Sequence, residues 1–141
     1  MIFRRFVRLL GRANVWIYRK TGGRLGGRLV GAPVLLLTTT GRRSGKPRTT
    51  ALLYLDLGES LAIVGSFGGS PKHPAWFLNL RSNPDVDVQV GKASSGRRAR
   101  IATDEERDRL WPRLVEMYPA YASYQGRTAR RIPIVLLEPT G

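Results

Sequence analysis

The sequence predicts a single small domain of the α+β class, mainly β, with about six mostly antiparallel strands, flanking helices and a basic amphipathic helix at its N-terminus. Three observations carry this. Short β-branched and leucine-rich runs recur at hairpin spacing, beginning with Val34 to Thr40 (VLLLTTT) and Thr49 to Leu57 (TTALLYLDL). Strand-like and helix-like patterns follow in the order strand, strand, strand, helix, strand, strand, helix, strand, with no internal repeat. A chain of 141 residues with 42% apolar content can bury one substantial core but not two.

Residues 1–20 read as the basic helix. Arg4, Arg8 and Arg12 recur at i, i+4, while Phe3, Phe6, Val7, Leu10, Ala13 and Ile17 form another face. Charges interrupt the segment too often for a membrane span or the apolar core of a signal peptide, and Arg4-Arg5 lacks the apolar region that follows a twin-arginine signal. The helix therefore either lies on anionic lipid or covers the sheet. The expected location is cytoplasmic, with peripheral contact at the inner face of the cell membrane left open. Residues 21–33 (TGGRLGGRLVGAP) read as a glycine-rich connector, and residues 34–141 as the folded domain.

Between the first two strands lies Gly41 to Arg48 (GRRSGKPR), a turn carrying four cations. A turn needs Gly, Asn or Asp at special dihedrals; it does not need Arg42, Arg43, Lys46 and Arg48 together. With the Ser44 hydroxyl and the amides of Gly41 and Gly45, the segment reads as an anion clamp. It is not a Walker loop, since three residues separate its glycines and Pro47 follows Lys46. A strand at Ser60 to Ser66 comes next, then the glycine turn Phe67-Gly68-Gly69, Lys72 and the chain's single histidine, His73. Pro74 suits the first turn of a helix carrying Trp76, Phe77, Asn79 and Leu80.

Asp85 to Val90 alternates as a strand, and Arg97 to Ala102 pairs with it across a turn at Gly91 to Gly96. Thr103-Asp104-Glu105-Glu106 is a capping box that opens a helix through about Met117. Tyr118, Tyr121 and Tyr124, spaced at i, i+3 and i+6, form one aromatic face of an extra helical turn. Arg127, Arg130 and Arg131 read as a solvated rim before the closing strand, Ile132 to Glu138.

Several chemistries are excluded. The absence of cysteine removes disulfides, thiolate metal sites and cysteine nucleophiles. One His with few clustered carboxylates speaks against a zinc or iron site. Ser44 stands in Gly-x-x-Ser-Gly, not in a nucleophile elbow, and a triad would have to recruit His73 from between Lys72 and Pro74. Redox chemistry supplied by a bound cofactor asks only that the protein orient ring and substrate and exclude water.

The motifs GRRSGKPR (Gly41 to Arg48) and GGSPKHPAWFLNL (Gly68 to Leu80), followed by NPDVDVQV at Asn83 to Val90, resemble the deazaflavin (F420)-dependent nitroreductase family of actinobacterial oxidoreductases. The resemblance spans nearly the whole chain and implies a split β-barrel. It implies that coenzyme F420, a flavin-like ring extended by a phosphodiester and an oligoglutamate tail, is the cofactor. It further implies that Arg42, Arg43, Ser44, Lys46 and Arg48 hold the phosphate and tail, that Ala51, Leu52 and Tyr54 pass beneath the ring, and that Ser66, Lys72, His73, Trp76 and Asn79 border it. Tyr118, Tyr121 and Tyr124 would cover the ring, contact substrate and include a proton donor; a phenol with a pKa of about 10 is a competent donor at neutral pH.

The expected activity is hydride transfer from reduced deazaflavin to an electron-poor acceptor such as a nitroaromatic, a quinone or an activated enone, with the proton coming from solvent or a tyrosine. No metal is required. Two alternatives stay open at the level of sequence. One is a related split barrel binding FMN or haem. The other is a nucleic-acid-binding module suggested by the net charge of +14, although no recognition motif accompanies it.

Overall fold

A computed structural model describes residues 2–29 and 31–140, with side chains described from residue 12 onward except Leu29. The sequence reading of Phe3, Arg4, Phe6, Val7, Arg8 and Leu10 as two helix faces thus lies outside the described side chains. Helix α1 (Ile2–Thr21) is followed by β1 (Arg28–Leu29), β2 (Ala32–Thr40), β3 (Pro47–Leu53), β4 (Leu55–Asp56) and β5 (Leu61–Val64). After a short left-handed turn come α2 (Ala75–Ser82), β6 (Asp85–Val90), β7 (Ala93–Ile101), α3 (Asp104–Met117), α4 (Ala120–Gly126) and β8 (Ile134–Pro139).

All strand pairings described are antiparallel, in the order β1-β2-β6-β7-β8-β5-β4, with β3 also paired to β2. The run read as one strand from Thr49 to Leu57 is divided at Tyr54. Its first part pairs with β2, from Thr40↔Pro47 to Val34↔Leu53, and its second pairs with β5. Because one residue separates β3 from β4, a single bent segment joins the two ends of the sheet and closes it into a barrel. The six longer strands are those the sequence predicts.

Two boundaries differ from expectation. The segment Gly91 to Gly96 is not a turn: Val90 pairs with Ala93, so Gly91-Lys92 alone reverses the chain, with Gly91 at φ +59°. Ala93 to Gly96 look like loop residues by composition, yet their backbone completes the ladder with β6. The connector at residues 21–33 contains β1 and the start of β2, whereas the tyrosine segment forms the expected extra helical turn as α4.

Strand alternation divides the core. Leu35, Leu37, Ile63, Val86, Val88, Val135 and Leu137 face inward against Trp76, Phe77 and Leu80 of α2. Ala62, Val64, Ile134 and Leu136 face the other way, beneath Leu110 and Leu114 of α3 and Tyr121 of α4. The capping box that starts α3 is present, with Thr103 Oγ1 accepting from the Glu106 N–H at 3.2 Å and Glu106 Oε1 from the Thr103 N–H at 2.9 Å.

Helix α1 covers part of the barrel, by an unexpected face. Tyr18, 1% exposed, packs on Val34 and Leu36. Its hydroxyl accepts from the Gly91 N–H at 2.7 Å and donates to the Gln89 carbonyl at 3.3 Å. Val15 joins this contact, whereas Ala13 and Ile17, expected on the apolar face, are exposed along with Trp16.

Candidate functional site

The four-cation turn is built by the β2–β3 hairpin. The Gly41 N–H donates to the Lys46 carbonyl and the Gly45 N–H to the Gly41 carbonyl, both at 2.8 Å, while the Lys46 N–H donates to Ser44 Oγ at 3.2 Å. The amides of Gly41 and Gly45, expected to serve the anion, are thus used to close the turn. Gly45 takes φ +71°, and a Cβ at Gly41 would fall 2.6 Å from Ser44 Oγ. These are two turn positions that require glycine. What the turn offers a ligand is its side chains: Arg42, Arg43, Lys46 and Arg48 are exposed, and among the described residues none is in an ion pair.

Asn79 connects this turn to α2. Only 5% exposed, it accepts the Arg42 N–H on Oδ1 and donates from Nδ2 to Thr39 Oγ1, both at 3.1 Å. Its polar atoms are engaged with protein, so it sets the position of Arg42. Trp76, placed at the ring's border by resemblance, is buried in the core against Phe77. The strand residues Ala51, Leu52 and Tyr54 divide by alternation: Leu52 and Tyr54 pack on the inward cluster, and Ala51 on the α1 side.

At the other end of α2, Lys72 is exposed and His73 lies with its ring 4.6 Å from that of Phe77. Arg130, expected on a solvated rim, is half-buried and ties this loop together. Its Nε donates to the Ser70 carbonyl at 2.8 Å, Nη1 to Gly65 at 3.0 Å and Nη2 to Ser66 at 2.8 Å. Nη1 also lies 3.3 Å from His73 Nδ1. A guanidinium only donates, so Nδ1 is the acceptor and His73 carries its proton on Nε2. Burial, then the charges of Arg130 and Arg81, pull the His73 pKa below its ordinary value, favouring the neutral ring. Ser66 is buried, and its carbonyl is held by Arg130.

Helix α4 packs on this loop. A Cβ at Gly69 would lie 2.6 Å from the Tyr124 carbonyl oxygen, so only glycine permits the approach. The three tyrosines then separate in character. The hydroxyls of Tyr118 and Tyr124 share a hydrogen bond at 2.9 Å. That bond, with burial, raises the Tyr118 pKa. Tyr121 is buried, edge-on to Tyr118 at 4.9 Å, and burial drives its pKa far upward. Turn, α2, the Lys72–His73 loop and α4 thus form one continuous assembly. A cavity of about 420 Å³ lined by Leu57, Arg100, Glu106, Arg109 and Leu136 shares no residue with it, and Arg100 there is neutralised by Glu106 and Glu138.

A sequence profile described as F420H(2)-dependent quinone reductase matches residues 10–139. The chain belongs to this family. An F420H(2)-dependent quinone reductase of Mycobacterium tuberculosis is 46% identical over 125 residues, which cover 86% of this chain and 84% of that protein. A solved F420-H2 dependent reductase, at 45% identity and TM-score 0.70, covers 75% of this chain and 94% of its own. A solved domain-swapped dimer, at 38% identity and TM-score 0.72, covers 96% and 98%. The fold is therefore the split β-barrel of these reductases. As a family member the chain is an F420H2-dependent oxidoreductase of the quinone-reducing type, with coenzyme F420 as its cofactor.

Sequence reasoning missed Arg130 and Thr39 as supports of the site. Arg130 is one of three arginines within five residues, and only the fold distinguishes it from Arg131, which pairs on the surface with Asp104 at 3.3 Å.

Proposed function

We propose that F420 is held by the cations of the Gly41 to Arg48 turn together with Lys72 and His73, and that a quinone is reduced against the Tyr118–Tyr124 pair. The observation that carries this reading is the set of four exposed cations without ion-pair partners among the described residues, on a turn tied through Asn79 to α2, whose other end carries the His73 loop. Their donors suit a phosphodiester and carboxylate tail, whose oxygens accept charge-assisted hydrogen bonds.

When bound in reduced form, F420 supplies a hydride. The protein's part is positioning and proton management. Arg42, Arg43, Lys46 and Arg48 neutralise the tail, with Ser44 at the turn's centre. Leu52 and Tyr54 present apolar surface toward the ring, and His73 Nε2–H, fixed by Arg130, gives a donor at its polar edge. Reduction of a quinone to a hydroquinone consumes one hydride and one proton. Tyr118 and Tyr124, hydrogen-bonded to each other and partly exposed, are placed to deliver that proton; Tyr121 is a packing residue beneath them. Nitroaromatics and activated enones are acceptors of the same electron-poor class and fit the same arrangement.

The N-terminal region supports contact with a membrane surface. Trp16 and Leu25 are each 62% exposed and lie among Arg12, Arg19, Lys20, Arg24 and Arg28. Aromatic and aliphatic side chains among cations are what an anionic lipid surface attracts, and a quinone dissolved in the bilayer would then be near the site. No helix among the described residues is long and apolar enough to cross a membrane.

The direct test of the activity is anaerobic mixing of F420H2 with menadione, following recovery of the oxidised cofactor's absorbance with and without protein. Protein-dependent oxidation that saturates in menadione is expected. A rate no greater than the protein-free reaction contradicts the proposal.

A further inference from the structure

Three consecutive residues after β5 adopt left-handed backbone: Phe67 at φ +45°, Gly68 at +63° and Gly69 at +80°. The turn is held by the Gly69 N–H to the Ser66 carbonyl at 2.9 Å and the Ser70 N–H to the Phe67 carbonyl at 3.1 Å. Glycine adopts this conformation freely, and two of the three positions have it. The first has phenylalanine, the single non-glycine residue with positive φ among those described. A bulky side chain there is strained.

Packing does not account for the phenylalanine. Its side chain is 61% exposed, so burial returns little of the strain, and among the described residues it pairs with no other aromatic ring. The surroundings nevertheless hold it firmly. Arg130 binds the carbonyls of Gly65 and Ser66 on one side of Phe67 and that of Ser70 on the other. On the far side Gly69 rests against the backbone of Tyr124.

Resting on the site reading above, we infer that Phe67 is a specificity-determining contact: an exposed aromatic plate against which the planar ring of the quinone acceptor packs. Its place in the assembly selects the acceptor over the cofactor. The cations that suit the cofactor's tail are on the β2–β3 turn, whereas Phe67 stands two residues before the glycine that abuts the tyrosine helix, where an acceptor must lie to receive a proton. A flat apolar ring gains from an aromatic surface by area and by offset stacking. Arg130 acts through this loop as a positioning residue.

The test compares Phe67→Gly, Phe67→Leu and Phe67→Tyr in the full chain by three measurements: thermal unfolding, F420 affinity by fluorescence titration, and steady-state kinetics with menadione. Phe67→Gly relieves the strain and should unfold about 3 °C higher in a domain of this size. Its KM for menadione should rise roughly three- to tenfold, as expected for loss of one aromatic contact, with F420 affinity within twofold of wild type. Phe67→Leu should share part of the KM increase, and Phe67→Tyr should restore the wild-type KM. A more stable Phe67→Gly variant with unchanged KM overturns the inference while leaving the cofactor site standing. Wild-type protein that fails to bind F420 overturns the site reading and this inference together.

Discussion

The hydroxyl pair Tyr118–Tyr124 is the most exacting point of the account. Replacing either residue by Phe removes one partner of a partly buried hydrogen bond at 2.9 Å, which should lower stability by about 1 kcal/mol. If the pair acts as one donor, with the outer hydroxyl releasing a proton and the inner one supporting it, each single variant slows proton-coupled hydride transfer by a large part of the roughly 10²–10⁴-fold range for general acid catalysis. The double variant should then be little slower than the worse single one, because groups acting as a unit are not additive. Tyr121→Phe serves as the control: its hydroxyl is buried at the foot of the pair, so the rate should change less than threefold. The assay is single-turnover oxidation of protein-bound F420H2 by menadione in a stopped-flow instrument, with F420 affinity measured separately for every variant. Full speed in Tyr118→Phe and Tyr124→Phe refutes the role of the pair and assigns the proton to water; a slow Tyr121→Phe beside two fast neighbours refutes the division among the three.

Other expectations follow from the same geometry. Asn79→Ala leaves the Arg42 N–H and the Thr39 hydroxyl without their partner; urea denaturation should show a loss of about 2–4 kcal/mol, with weaker F420 binding, and a loss under ~0.5 kcal/mol contradicts its bridging role. The Glu106 carboxylate is held at a pKa of about 2, first by Arg100 and then by the Thr103 amide, against 4.5 unperturbed. A depressed folded-state pKa contributes stability that is present above pH 4.5 and lost as pH falls toward 2. The wild-type advantage over Glu106→Gln, about 1 kcal/mol at pH 7 because the pair is partly exposed, should therefore shrink across that window. A pH-independent difference in thermal unfolding counts against it. Trp16→Ser with Leu25→Ser should reduce co-sedimentation with anionic vesicles without altering F420 affinity. Deleting residues before Gly22 is a poorer test, because it removes Tyr18 from the core; vesicle binding unchanged in the double variant would exclude the patch.

Local signals in the chain were strong where one residue type has one physical use. The GRRSGKPR turn, the capping box at Thr103–Glu106 and the alternation of Asp85 to Val90 all appear where the sequence reading puts them. What escaped it depends on contacts between distant segments. Tyr18 reaches across 73 positions to Gly91, and Arg130 across 65 to Gly65, and neither partner is marked by composition. The same holds for Asn79: its motif position suggests a ligand contact, and only the fold reveals that Arg42 and Thr39 occupy its polar atoms. The break at Tyr54 was hidden because both halves of the run have the same strand character, and the closure of the barrel decides where the chain bends.

The proposed grip on an acidic cofactor tail by the Gly41 to Arg48 cations, unpaired among the described residues, is tested by titrating wild-type protein and the Lys46→Ala, Arg48→Ala double variant with F420 and FMN at low and high salt. Tighter binding of F420 than of FMN is expected, with F420 binding weakened by added salt and a loss of about 1–3 kcal/mol in the double variant. Equal affinity for the two cofactors, or F420 binding indifferent to salt and to removal of both cations, would contradict it.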